Sequence, residues 1–209
     1  MEYVDKIVNI IKQDINSLRT DELGGVIFED LESILQEAPD IESILNPEPD
    51  VFIERTIPES KTILGAYTPM KSPGVITLYS NNIKNFFWRI VQVLTRKLYG
   101  FFITKPDLER LAILITRKTY YHEIFHFNCD VFRLLFGCSY DILNEEALAV
   151  AYSRNTLKVE RSNGNSQIGR MNAVIYNTVM DRAFRYTSPG YRNWRNFPDE
   201  FSLKNGLID

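Results

Sequence analysis

The sequence predicts an α+β protein, a small three-stranded sheet followed by a mainly helical region. Three observations carry that expectation. Short β-favouring runs bounded by Pro or Gly cluster between residues 51 and 79. Beyond residue 81 apolar side chains recur at helical spacing almost to the end. The length of 209 residues, with 44% apolar and 24% charged, suits one medium domain with a proper core.

The elements follow in order. Val4, Ile7, Val8, Ile11, Ile15 and Leu18 mark a first amphipathic helix. A second helix is expected from Val26 to Gln36, after the Gly24-Gly25 break and ending near Pro39. The turn-rich stretch Asn46-Pro-Glu-Pro-Asp50 then leads into strands at Val51 to Thr56, Thr62 to Tyr67 and Val75 to Tyr79. A Phe- and Val-rich helix is expected from Asn82 to Leu98. Thr104-Lys-Pro-Asp107 supplies a capping hydroxyl, a proline in the first turn and an early carboxylate, so another helix opens there. Leu143 to Arg154 and Met171 to Tyr186 read as the last helices.

Charge divides the chain. Residues 1–60 hold 4 basic and 15 acidic side chains, and residues 61–209 hold 20 and 12. The expected organisation is an acidic N-terminal helical segment, 1–48, ahead of a larger domain, 49–209, with folding of the two as one unit left open. A net charge of −3 argues against binding nucleic acid through overall basicity. The N-terminus lacks a basic, apolar secretory signal, and no window approaches the roughly 18 apolar residues of a membrane span. With only Cys129 and Cys138, no disulfide scaffold is expected, although a bridge between these two stays open. The expected location is cytoplasmic, without membrane association.

Both histidines of the chain fall in one motif, His122-Glu-Ile-Phe-His126. On a helix, residues four apart lie about 40° apart around the axis, so both imidazoles can reach one metal ion. Glu123 projects about 60–100° away, where its carboxylate reaches a water on the metal rather than the metal itself. Chance would produce this spacing on the order of once per thousand such chains, leaving two structural histidines as the alternative. Leu108, Leu111, Ala112, Ile115 and Thr119 continue the histidine stripe, which marks it as core-facing.

A zinc site needs a third protein ligand, and no histidine remains. The position six residues past His126 is Phe132, so the candidates are Glu145 and Glu146 in the next helix. Leu143, Ala147, Val150 and Ala151 define that helix's apolar face, with Glu146 on its flank and Glu145 pointing nearly opposite. Glu146 is favoured, with Glu145 as the alternative; either could instead be a solvated helix-start carboxylate.

His122-Glu-x-x-His126 followed by Asn144-Glu-Glu-Ala-Leu-Ala149 resembles the gluzincin group of zinc metallopeptidases. The resemblance implies one zinc ion, Glu123 as general base, the later glutamate as third ligand, and a peptide or protein substrate. It makes residues 49–209 a metallopeptidase-like domain. Gly65 to Pro69 and Pro73 to Tyr79 resemble the strand pair of minimal gluzincin domains, which implies that the last strand borders the cleft and aligns substrate by strand addition. With no third histidine to stabilise an oxyanion, a Tyr or Arg must serve, and Tyr176, Arg182, Arg185, Tyr186 and Tyr191 are candidates. A metallopeptidase-like binding or regulatory protein with little catalysis is the alternative function. The segment Tyr186 to Phe197, aromatic and basic, could pack across the domain, cover the cleft as a flap, or stack on nucleic-acid bases.

Overall fold

The computed structural model describes residues 2–18, 25–29, 64–68, 75–97, 102–136, 141–186, 190–199 and 202. Helix α1 spans Glu2–Leu18 and strand β1 Gly25–Glu29; β2 is Gly65–Thr68 and β3 Val75–Tyr79. Then come α2, Ser80–Lys97; α3, Lys105–Phe136; α4, Ile142–Ser162; α5, Ala173–Arg182; and a 3₁₀ turn at Tyr191–Asn196. The described part is therefore mainly helical with a small sheet, the α+β arrangement.

Several details differ from the sequence expectation. The helix expected from Val26 begins as strand β1. The run Val26-Ile27-Phe28 is β-branched and aromatic, and pairing with β3 overrides its weak helical spacing. The strand expected at Val51 to Thr56 lies outside the described residues. β2 and β3 form an antiparallel pair, Gly65 opposite Leu78 and Thr68 opposite Val75, and β1 joins the other edge of β3 in parallel. The strand order is thus β1-β3-β2. β3 is flanked on both sides, so strand addition to it, which the resemblance implied, finds no free edge there. α4 continues past Arg154 because Leu157 is fully buried, whereas α5 is shorter than expected, starting after an Asn172 side-chain cap and ending at Ala183.

The core centres on α3. Thr104 and Asp107 cap it reciprocally: the Asp107 N–H donates to Thr104 Oγ1 at 3.3 Å, and the Thr104 N–H donates to the Asp107 carboxylate at 3.1 Å. Every residue from Leu111 to Tyr121 is buried, so this stretch is enclosed on all sides rather than along one stripe. The polar members of that run are satisfied internally. Thr116 and Thr119 donate to carbonyls one turn back, at 3.0 and 3.2 Å. Gly65 lets β2 come close to this helix, because a Cβ there would sit 2.8 Å from Thr119 Cγ2.

The acidic first helix belongs to this same core. Ile15 is fully buried, and Asp14 accepts two hydrogen bonds from Arg117 of α3, at 2.7 and 2.8 Å. Glu160 of α4 accepts from Arg117 Nη1 at 2.9 Å and also from the Tyr121 hydroxyl. Burial disfavours the Arg117 charge, but Asp14 and Glu160 outweigh it and hold the guanidinium protonated. Replacing Asp14 with Asn is expected to destabilise the fold by about 1–3 kcal/mol, since it weakens a bidentate, nearly buried ion pair. Urea denaturation of the wild type and D14N compares the two directly; equal midpoints would show the pair to be neutral.

Candidate metal centre

His122 and His126 lie on α3, and Glu146 lies one turn into α4. Alanines bring the two helices together: Ala147, Ala149 and Ala151 are at most 1% exposed, and Ser153 Oγ donates to the Lys118 carbonyl at 2.7 Å. Asp141 caps α4 by accepting from the Asn144 N–H at 3.1 Å, which sets the helix start just ahead of the two glutamates.

Among the described residues, His122, His126 and Glu146 form the group able to hold a metal ion. The two Nε2 atoms are 3.3 Å apart, and Glu146 Oε2 lies 3.2 Å from His122 Nε2 and 3.5 Å from His126 Nε2. Zinc bonds of about 2.0–2.1 Å at tetrahedral angles separate ligand atoms by about 3.3 Å, so the triangle is one face of such a tetrahedron. Glu146 Oε2 is buried and accepts no hydrogen bond from the protein. An orphaned carboxylate oxygen beside two imidazole nitrogens fits a cation. Burial alone would raise the Glu146 carboxyl, but the two imidazoles outweigh it and hold it well below the usual carboxylate range.

Glu145 does not point away into solvent. It is 6% exposed, and its Oε1 lies 2.7 Å from His126 Nδ1. Its other oxygen pairs with Arg133 of α3. A carboxylate only accepts, so Nδ1 carries the proton and His126 turns the lone pair of Nε2 toward Glu146. The helical wheel misplaced Glu145 because it assigns one face to the protein. Here both glutamates reach α3, Glu145 through His126 Nδ1 and Arg133 and Glu146 through the two Nε2 atoms, because long α3 side chains extend to meet each.

Glu123 is buried at 6% exposure. Desolvation raises its carboxyl, opposed by His122 and His126 and reinforced by Glu146, so all three surround it electrostatically. Of the five oxyanion candidates, Tyr191 is the one in ring contact with a site histidine. Its ring stacks on His122 at 5.6 Å between centroids and 15° between planes. Burial first, then the facing Glu146 carboxylate, keep its hydroxyl protonated far above the ordinary range. The others are engaged elsewhere: Tyr176 bonds the Leu157 carbonyl, Arg185 pairs with Asp181, and Tyr186 packs on Tyr191 beside Lys118. Arg182 leaves its Nε buried without a hydrogen-bond partner.

Tyr191 is delivered by the segment expected to pack, cover or stack. Gly190, at φ 81°, turns the chain against the Leu143 backbone. Trp194 Nε1 then donates to the Phe184 carbonyl at 2.9 Å, with Arg154 4.8 Å over its ring. The segment packs across the domain and over His122, and its Trp194 and Tyr186 faces are taken up by Arg154 and Lys118. No helix among the described residues is long and apolar enough to cross a membrane. No protein-family model, curated protein or solved structure gives a significant match to the chain, so the functional argument rests on this geometry.

Cys129 is a free thiol, buried with Phe125, Leu148, Ala149 and Ala151, and Cys138 lies outside the described residues. Burial pushes its pKa up to about 11. At pH 8 the native thiol is expected to resist Ellman's reagent and to react promptly once the chain is unfolded in guanidinium. Rapid native labelling traced to Cys129 by peptide mapping would contradict the packing around it.

Proposed function

We propose that the chain is a zinc-dependent metallopeptidase of the gluzincin type, acting on a peptide or protein substrate. The observation that carries the reading is the tetrahedral-sized triangle of His122 Nε2, His126 Nε2 and Glu146 Oε2, with Glu123 buried beside it. Bound by this set, a zinc ion supplies Lewis acidity toward a peptide carbonyl and makes water nucleophilic at neutral pH. Glu123 takes the proton of the attacking water and passes it to the leaving amine. Glu145 holds the His126 tautomer, and Tyr191, stacked on His122, is the candidate we assign to developing negative charge.

Freshly purified protein is expected to hold one zinc per chain by elemental analysis. Glu123→Gln should keep the metal while lowering peptide hydrolysis by about 10²–10⁴-fold. Absence of zinc, together with no uptake on reconstitution, would sink the proposal.

One observation favours a second reading, a metal-binding protein with little catalysis. Glu123 is only 6% exposed, and Tyr191 lies across His122. Tyr191→Ala separates the two. Hydrolysis falls if the hydroxyl serves the reaction, whereas it rises several-fold if the ring covers the site.

A further inference from the structure

The hydrogen bonds around His126 do not stop at Glu145. Arg133, two turns further along α3, pairs with the second oxygen of Glu145. Its other terminal nitrogen lies 3.9 Å from Asp130 Oδ1. The remaining Asp130 oxygen, Oδ2, accepts from the Tyr67 hydroxyl at 2.7 Å. Tyr67 belongs to β2, where its ring also meets Phe127 edge-on at 6.0 Å. A continuous polar path therefore runs from strand β2 to the imidazole of a candidate metal ligand.

Each link has a reason to be where it is. Asp130 and Arg133 are three apart on α3, so they share a face and extend it beyond His126 toward the sheet. Arg133 spans the gap because its planar guanidinium can address two carboxylates at once, which a lysine cannot do in the same fixed geometry. Glu145 and Asp130 are both largely buried, with side chains 8% and 16% exposed, while Arg133 between them is 32% exposed, so solvent screens the guanidinium more than the two carboxylates it joins. Remove Arg133, and Glu145 keeps a desolvated oxygen with nothing to hold its plane. His126 then loses the fixed partner that sets its tautomer.

We propose that Arg133 is a positioning residue through which strand β2 and the metal site are coupled. The inference rests on the zinc-site reading above. Coupling is reciprocal by linkage: if docking of β2 favours the metal-ready orientation of His126, metal must in turn favour the docked strand. The path thereby gives the sheet a role in metal affinity that is independent of any hydrogen bond to substrate.

The test uses the full chain and zinc alone, by chelator competition. Arg133→Met should weaken zinc about 10-fold, the low end of the range usual for outer-sphere partners, and Tyr67→Phe, two links further from the metal, about 3-fold. Arg133→Lys, which keeps a charge beside Glu145, should lose less than Arg133→Met. In the double variant with Glu145→Gln, Arg133→Met should add little, because its effect passes through Glu145. Cobalt substitution should show an altered visible spectrum in Arg133→Met. Zinc should slow hydrogen exchange at Gly65–Thr68 in the wild type but not in that variant. Equal zinc affinities in the wild type, Arg133→Met and Arg133→Lys would overturn the coupling, as would full additivity with Glu145→Gln. If Arg133→Met fails to fold by circular dichroism, Tyr67→Phe and Arg133→Lys carry the comparison, and wild-type affinity in both overturns it. A wild type that binds no zinc overturns both this inference and the peptidase proposal; a wild type that binds zinc with variants unaffected overturns this one alone.

Discussion

The contact on which the rest of the structure depends is the close antiparallel approach of α4 to α3. Buried alanines and a serine on α4 pack against α3 beside the Phe125, Cys129 and Leu148 cluster, and the Ser153 hydroxyl bonds the α3 backbone directly. Small residues alone would permit sliding, since an Ala-rich surface has little relief to set a register. Polar locks at the two ends supply what packing does not. Glu145 engages His126 and Arg133 at one end, while Glu160 engages Arg117 and Tyr121 at the other. A register shift would leave all of these groups buried and unpaired at once, each at a cost of about 1–3 kcal/mol or more. The metal triangle is a by-product of that register: with Glu145 and Glu160 seated, Glu146 has one place to go.

The same logic explains why the acidic N-terminal helix is part of the core. Arg117 is buried in the middle of α3, where an unpaired guanidinium is untenable. Glu160 alone satisfies one of its terminal nitrogens, and Asp14 takes Nε and the other. One acidic residue of the N-terminal segment, Asp14, therefore has a structural use. The C-terminal segment has its own lock, the Trp194 ring between the Phe184 carbonyl and Arg154. The long central helix is held by ion pairs at Arg117 and by cation–aromatic contacts at Lys118.

Local chemistry was legible in the sequence where one residue type has one strong preference. The Thr104-Asp107 cap, the strand at Val75–Tyr79 and the four-residue histidine spacing needed no tertiary information. Legibility failed where burial is decided by partners from distant segments. Val26-Ile27-Phe28 is short enough to serve as helix or strand, and only its pairing with β3 decides. Arg117 and Lys118 carry charge into the enclosed part of α3, and both are 9% exposed because Asp14, Glu160, Phe184 and Tyr186 come to meet them. Glu145 was invisible as a partner of His126 for the same reason. A wheel reports direction around one axis and says nothing of what a neighbouring helix brings to that direction.

The distinction between a metal site and two structural histidines turns on where the protons are. Structural histidines are satisfied by giving their N–H to an acceptor and receiving one on the other nitrogen. His126 meets the first condition at Nδ1, through Glu145. Its Nε2 then faces Glu146 Oε2 across 3.5 Å, two acceptors with no proton between them. A proton on His122 Nε2 can be given to Glu146 Oε2 at 3.2 Å or to His126 Nε2 at 3.3 Å, but not fully to both. With side chains only 13–22% exposed, repulsion between these lone pairs is less screened than in bulk water. A divalent cation at the centre of the triangle satisfies all three atoms at once, which is why the geometry favours metal chemistry over a packed histidine pair.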